Sequence, residues 1–269
     1  MMDLKKSPLL ALGMALFAGS VQSAECLIEP TQTVEVASAV PGVVMTLGAQ
    51  RGDRVKRGQV LVTLDDRAER AAMNSARFRA EQTGPVELAT RKIEFAKQRF
   101  ERRSSLAKEN LIAAQEGDDA EAELRLAESE LKVANENRAL ARIELEQHSV
   151  QLNLRTVRSP IDGVVVEQLV RAGESVDTSG GKRSVFKIAQ IHPLRVHVVL
   201  PKDLFGKIRP EDAVMVALES PISEKVKAVV KRVDRVVNAS SGSFVAWLEL
   251  PNSELRIPAG IRCVAEMDK

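Results

Sequence analysis

The sequence is poor in aromatic residues. Of 269 residues, 3% are aromatic, comprising seven Phe, one Trp and no Tyr. A compact core or a typical enzyme pocket usually draws on such side chains, so this composition favours a structural or interaction protein over an enzyme. Charge is nearly balanced, with 39 Lys and Arg against 37 Asp and Glu. That balance excludes a strongly basic protein that binds nucleic acid.

Catalytic signatures are also missing. The sequence contains no GxSxG element, no GxxxxGK phosphate loop and no pair of His at i, i+4 spacing. The three His are His148, His192 and His197, and neither Cys nor His clusters suggest a metal centre. We therefore expect no enzymatic activity, no cofactor and no metal ion.

Residues 1–24 have the pattern of a secretory signal peptide. Lys5 and Lys6 precede an apolar run from Pro8 to Ala18, and small residues follow it. The run is shorter than the roughly 20 residues of a membrane-spanning helix, which makes an uncleaved anchor the weaker alternative. The pattern predicts export, and no later segment approaches 18 apolar residues.

Two cysteines lie at opposite ends of the exported chain, Cys26 and Cys263. An even number in an oxidising compartment favours a disulfide. It would close a very long loop, for which chain-entropy models give about 4–5 kcal/mol of stabilisation. Two buried free thiols are the alternative.

A repeat at an offset of 121 residues relates 38–55 to 159–176. Each copy has a Gly followed by two Val, then a second Gly ten residues later with an acidic residue directly after it. Such a repeat predicts equivalent structural units. The copies read as short strands and tight turns, so two facing copies would form a flattened β-sandwich. The predicted turn residues are Gly42, Gly52, Gly58, Gly163 and Gly173, with positive φ expected at Gly42 and Gly163.

Residues 66–154, between the two copies, follow a helical period. Heptads run through the second arm, and a matching row of small and apolar residues runs through the first. Gly84 and Pro85 should break the first arm. Asp118 and Glu121 fit a capping box, so the turn is expected at 110–118. The pattern predicts an antiparallel coiled-coil hairpin with these second-arm seam positions: Ala120, Leu124, Ala127, Leu131, Ala134, Arg138, Ala141, Leu145, His148 and Leu152.

Short Val-rich segments separated by turns fill 192–269, which predicts a small β-barrel. An extended segment over 25–37 is expected to pair with that barrel, close to the last strand if the two Cys are joined.

Several short motifs in this order resemble those of periplasmic adaptors, or membrane fusion proteins (HlyD-like). They lie at 40–44, 51–61, 158–165, 238–244, 250–255 and 258–260. The sequence is most similar to adaptors of resistance–nodulation–division (RND) efflux pumps. The resemblance implies a mixed α and β, elongated multidomain fold. A lipoyl-like sandwich (38–65 and 155–191) is split by the helical hairpin and followed by the barrel.

The resemblance also implies a role. Such adaptors are periplasmic, form funnel-like homo-oligomers and bridge an inner-membrane transporter to an outer-membrane channel, which the hairpin tip meets. Family tips carry Arg, Leu and Ser at a fixed spacing, and this chain has Arg102, Leu106 and Ala113 there, so the Ser is missing. Leu111 and Ile112 complete the expected contact. The chain ends just after the barrel, so a membrane-proximal domain is expected to be minimal.

Two other functions compete with this interpretation. The adaptor could serve an ABC-type exporter or secretion system, or the protein could act as a stand-alone periplasmic scaffold or regulatory protein. A signal peptide retained as an anchor would associate the protein with the inner membrane. A true lipoyl or biotin carrier is disfavoured, because that chemistry needs a Lys at the sandwich turn where 63–68 read TLDDRA.

Overall fold

The computed structural model describes residues 22–177 and 184–267; the expected signal peptide over 1–24 therefore lies almost wholly outside the described residues. The chain divides into two units. The barrel unit comprises the described residues up to Val34 and from Ala189 onward, and the hairpin unit comprises Glu35 to Ile188. Strands β1 (Gln22–Ala37) and β8 (Ser184–Pro201) each contribute residues to both units.

The barrel unit is a ring of six strands. Besides β1 and β8 it contains β9 (Ala213–Leu218), β10 (Lys225–Val233), β11 (Ser243–Leu250) and β12 (Arg262–Met267). Their order is β1-β12-β9-β10-β11-β8, and an additional pairing of β1 with β8 closes the ring. Inward positions alternate along the strands, as at Leu194, Val196 and Val198 of β8, all fully buried. This core consists mainly of Val, Leu and Ala, which accounts for the low aromatic content.

The two Cys form the expected disulfide. Cys26 on β1 lies directly opposite Cys263 on β12 in the antiparallel register, and the two are bonded. The predicted pairing of the N-terminal segment with the last strand follows from this register.

In the hairpin unit, the two copies of the repeat exchange strands. The strands are β2 (Gly42–Leu47), β3 (Arg54–Val55), β4 (Val60–Leu64), β5 (Thr156–Arg158), β6 (Gly163–Gln168) and β7 (Ser175–Val176). β2 pairs with β7 of the other copy, and β3 pairs with β6. The pairs Gly42–Val176 and Gly163–Val55 are equivalent under the 121-residue offset. Neither copy therefore completes its pairing without the other.

Glycines in the repeat have two different roles. Gly52, Gly58 and Gly173 have φ of 94°, 85° and 87°, the left-handed conformation that favours glycine. The expectation of positive φ is wrong at Gly42 and Gly163, each of which is the first residue of a strand. At Gly42 the reason is space, because a Cβ would lie 2.8 Å from Nη1 of Arg155.

Three helices form the hairpin: α1 (Arg67–Glu81), α2 (Gly84–Lys108) and α3 (Ala114–Leu154). The first arm breaks between α1 and α2 at the expected Gly84 and Pro85. Both α1 and α2 pack against α3. Ala120 and Ala127 are buried, and the other predicted seam positions of α3 are all partly buried, which confirms the heptad interpretation. The mixed fold with a helical hairpin, a sandwich and a barrel is thus confirmed.

The predicted start of the second long helix is wrong. α3 begins at Ala114, so Asp118 and Glu121 lie inside the helix and form no capping box. The turn is correspondingly shorter than 110–118. At 1.5 Å per residue, the 41 residues of α3 extend about 60 Å.

Candidate functional site

The hairpin tip begins where α2 ends. Asn110 adopts a left-handed φ of 57°. Its amide donates to the carbonyl of Ala107 at 3.0 Å, and the amide of Leu111 donates to the carbonyl of Leu106 at 2.9 Å. These two bonds define a Schellman motif, in which Asn takes the place usually held by Gly. Asn110 thus stops α2 and turns the chain, at the residue where the sequence predicted the turn to begin; the stop motif itself was not predicted, although Asn near a helix end is a known stop signal.

The second arm starts at the tip without a side-chain cap. Ala113 is the N-cap residue of α3, with φ −63° and ψ 139°, and it makes no side-chain cap hydrogen bond. The amide of Glu116 donates to the carbonyl of Ala113 at 3.0 Å. A Ser at this position would place its hydroxyl oxygen within reach of the first-turn amides. Ala113, which stands where the family pattern has Ser, is therefore the N-cap residue of α3.

The predicted tip residues lie around the turn and differ in exposure. Leu111 is 65% exposed at the turn, whereas Leu106 and Ile112 are half-buried. Arg102 and Ala113 are exposed. Arg102 and Leu106 lie one helical turn apart on α2. The tip therefore offers apolar side chains, a guanidinium and uncapped helix amides, which together suit docking to a polar and apolar protein surface rather than catalysis.

At the base of the hairpin, Arg155 joins three segments. Its guanidinium donates to the Glu69 carboxylate at 2.5 Å and to the carbonyl of Pro41 at 2.8 Å. Arg155 follows the last residue of α3, and Glu69 lies in the first turn of α1. The arrangement ties both ends of the hairpin to the start of the sandwich.

Next to this clamp, Asp65 carries the one strongly shifted carboxyl group among the described residues. Hydrogen bonds from the Arg67 side chain and amide lower the pKa of Asp65 from 3.8 to about 2. Because the folded state holds this pKa below its ordinary value, the pair stabilises the fold above pH 4. That stabilisation is lost as the pH falls towards 2.

On the barrel unit, an aromatic and cationic patch surrounds Trp247. Its indole stacks on His197 with ring centroids 4.7 Å apart, and the Arg195 guanidinium lies 5.3 Å from the indole centroid. Arg232 faces Trp247 across the β10–β11 pairing. Trp and Arg are the residues most enriched at the centres of protein interfaces. The sequence interpretation did not single out these residues.

No described helix combines the length and the apolar character needed to cross a membrane. Across 22–177 and 184–267, no three or more His, Cys, Asp or Glu side chains cluster in a way that could hold a metal ion.

A family model described as the CzcB-like barrel-sandwich hybrid domain matches residues 32–190, more than half of the chain. Multidrug resistance protein MdtE of Escherichia coli K12 is 25% identical over 252 residues, which are 89% of this chain and 62% of that protein. The pyoverdine export membrane fusion protein PvdR of Pseudomonas aeruginosa is 22% identical over 71% of this chain and 50% of its own length. The chain thus spans less than two thirds of either relative.

Solved structures share the fold. MacA from Actinobacillus actinomycetemcomitans aligns over 93% of this chain and 78% of its own, with a TM-score of 0.76 and 22% identity. The membrane fusion protein Spr0693 from Streptococcus pneumoniae aligns over 92% of this chain and 99% of its own, with a TM-score of 0.62 and 18% identity. With the family model, the split sandwich and the helical hairpin, these matches identify the chain as a member of the CzcB-like barrel-sandwich hybrid family of membrane fusion proteins.

Proposed function

We propose that the chain is a periplasmic adaptor of an efflux system. It connects an inner-membrane transporter to an outer-membrane channel, and it acts by binding rather than by catalysis. In this proposal several copies form a funnel-like homo-oligomer. The observation that carries the proposal is the uncapped tip, where exposed Leu111 lies beside the Ala113 cap position at the end of two long antiparallel helices.

The channel docks at the tip surface, defined as Arg102, Leu106, Leu111, Ile112 and Ala113. A partner that covers exposed Leu111 gains about 25 cal/mol per Å² of apolar surface that is buried. Arg102 adds an exposed donor that can bind carbonyl or carboxylate oxygens of the partner. The amide of Gln115 in the first turn of α3 is a further candidate donor, because the N-cap residue Ala113 has no side chain that could cap it.

The transporter binds at the barrel unit, where the Trp247 patch is the candidate contact. The resemblance of the motifs to RND-pump adaptors favours an RND-type transporter. An adaptor of an ABC-type exporter is the second candidate, with the same fold and tip.

Photo-crosslinking tests the tip. A photoreactive amino acid at Leu111 in the otherwise intact chain is expected to capture an outer-membrane channel protein in cells. The same amino acid at Phe78 is the matched control, because Phe78 is 68% exposed but lies on α1, away from the tip. No capture from Leu111, or equal capture from both positions, would overturn docking at the tip.

Substitutions that reverse or introduce charge at the tip test whether the tip surface is needed for export. The double substitution Arg102→Glu with Leu106→Asp should abolish export while circular dichroism stays unchanged, and Leu111→Asp should lower export through a side chain that has little role in packing. Arg77→Glu with Phe78→Asp is the control, an exposed cationic and apolar pair on α1. Export that survives both tip variants would contradict the proposal.

Crosslinking followed by purification identifies the transporter class. Recovery of a large pump with periplasmic domains supports the RND-type assignment, and recovery of an ATP-binding exporter supports the second candidate. Recovery of neither would count against bridging.

A further inference from the structure

A cavity of about 360 Å³ lies on the outside of the barrel unit, around Trp247. Strands β10, β11 and β8 run side by side beneath it, and Thr31 of β1 lies at its edge. Its charged lining residues occupy outward positions of these strands, whose inward side chains, such as Leu248, fill the barrel core. Binding sites for small molecules typically measure roughly 300–1,000 Å³, so the cavity has the size of a site for a small organic ligand.

The sheet register places the indole between two strands that each carry an Arg. Arg232 on β10 lies directly opposite Trp247 on β11, and both residues are at outward positions. Arg195 on β8 lies opposite Glu249, two residues along β11 from Trp247. The guanidinium carbon of Arg195 is 5.3 Å from the indole centroid. An aromatic face and two cationic donors therefore meet in one cavity.

The lining of the cavity has more positive than negative charge. Of the described residues that line it, one is acidic, Glu249, and three are cationic: Arg195, Lys231 and Arg232. Lys231 is already paired with Glu211 at 3.1 Å. Within the described part of the chain, neither Arg195 nor Arg232 forms an ion pair, although Glu249 lies opposite Arg195 in the register. Even with Glu211 counted, three cations face two carboxylates, so the cavity favours an anion.

The nearest further charges do not change this balance. Asp234 and Arg235 line a neighbouring cavity beside Phe205, and their charges offset each other. His197 lies opposite Trp247 on β8, and its ring stacks on the indole with centroids 4.7 Å apart. This stacking restricts the indole beforehand, so that less side-chain entropy is lost when a ligand binds against it.

We propose that the cavity binds a small aromatic carboxylate, with its ring against the indole of Trp247 and its carboxylate on the guanidinium groups of Arg195 and Arg232. A planar ring can stack on indole, and a guanidinium binds a carboxylate through two parallel hydrogen bonds. Glu249 repels a second negative charge, so a ligand with a single carboxylate fits better than one with two.

Arg195 can exchange its present contact for the ligand at little cost. Its guanidinium now lies over the indole, and a cation–π contact at an exposed site is weak. Charge-assisted hydrogen bonds to a carboxylate are stronger, so the ligand gains more than the indole contact loses. The inference goes beyond the proposed function and does not rest on it, because it adds a small ligand to the Trp247 patch and leaves docking at the tip unchanged.

Tryptophan fluorescence of the purified full chain tests the proposal, because Trp247 is the only Trp in the sequence. Titration with benzoate should change the emission saturably. Benzamide keeps the ring without the charge and should bind about tenfold more weakly, because the charge-assisted hydrogen bonds are lost. Cyclohexanecarboxylate keeps the charge without the aromatic ring and should bind about threefold more weakly, because stacking is lost. No saturable change with benzoate, or equal binding of either analogue, overturns the inference.

Substitution of the two guanidinium groups assigns the binding to this cavity. The double variant Arg195→Gln with Arg232→Gln should weaken benzoate binding by about tenfold or more, while circular dichroism stays unchanged. Lys227→Gln is the matched control, because Lys227 is an exposed cation on β10 that does not line the cavity. Undiminished binding in the double variant, or an equal loss in the control, excludes the site. Photo-crosslinking from Leu111 does not depend on the cavity, so failure of the inference can be told apart from failure of the proposed function.

Discussion

Arg155 and Glu69 form an ion pair at the base of the hairpin, with side chains only 23% and 19% exposed. Arg155 also donates to the carbonyl of Pro41, the residue before strand β2. The pair therefore connects the end of α3, the start of α1 and the first half of the sandwich. A pair this enclosed is less screened by water than the other ion pairs of the hairpin.

Arg155→Ala should destabilise the protein by about 1–3 kcal/mol, because it leaves the Glu69 carboxylate partly buried without its partner. Urea unfolding followed by circular dichroism measures this loss. Arg67→Ala is the control: Arg67 is 84% exposed in its pair with Asp65, so the expected loss is much smaller than for Arg155→Ala. Equal losses in the two variants would contradict the clamp role of Arg155.

The exchanged halves of the sandwich make Gly52 and Gly173 equivalent. Both have positive φ, and a Cβ at either would meet nothing within 4 Å. Replacement by Ala should therefore cost only the strain of the left-handed backbone, about 1 kcal/mol at each site. Urea midpoints should fall by similar amounts for Gly52→Ala and Gly173→Ala. Gly117→Ala, inside α3, should leave stability unchanged or slightly higher, because its φ is not positive and its Cβ would make only an ordinary contact of 3.6 Å. A large difference between Gly52 and Gly173 would contradict the equivalence.

Most of the fold could be predicted from the heptads and the repeat in the sequence. The heptads of Ala120 and Leu124 predicted the buried seam, because helix geometry alone determines which side chains share a face. The 121-residue repeat predicted two equivalent halves. It could not predict that β2 pairs with β7 of the other half, since strand exchange depends on how distant segments meet.

The wrong prediction of where α3 begins has a local cause. Asp118 and Glu121 satisfy a capping-box pattern, yet α3 extends to Ala114, whose neighbour Ala113 offers no side-chain cap. Packing of α2 on α3 near the tip stabilises the extra turn, where a Cβ at Gly117 would lie 3.6 Å from the Cβ of Ala107. Tertiary contacts here outweigh the capping preference.

Removing the disulfide should destabilise the protein strongly. The bond spans 237 residues of sequence, and Cys26→Ser with Cys263→Ser should lower stability by about 2–4 kcal/mol, because the unfolded chain gains freedom. Thermal unfolding with and without reductant measures the effect, and the double variant should no longer respond to reductant. Two reactive thiols in the unreduced, denatured native protein would show that the bond does not form.

Restoring a hydroxyl at the tip should stabilise the second arm. Ala113→Ser places an oxygen at the N-cap of α3, where it can accept a hydrogen bond from the amide of Gln115; the amide of Glu116 already donates to the carbonyl of Ala113 at 3.0 Å. We expect a gain of about 0.5–1 kcal/mol. Hydrogen exchange at the Gln115 amide should slow. Ala114→Ser is the control, because its side chain lies one residue inside the helix and should leave exchange unchanged or faster. Equal exchange in both variants would show that Ala113 does not act as the cap.

If the channel uses the uncapped amides, Ala113→Ser should also reduce photo-crosslinking from Leu111, since its hydroxyl would occupy a donor that the partner needs.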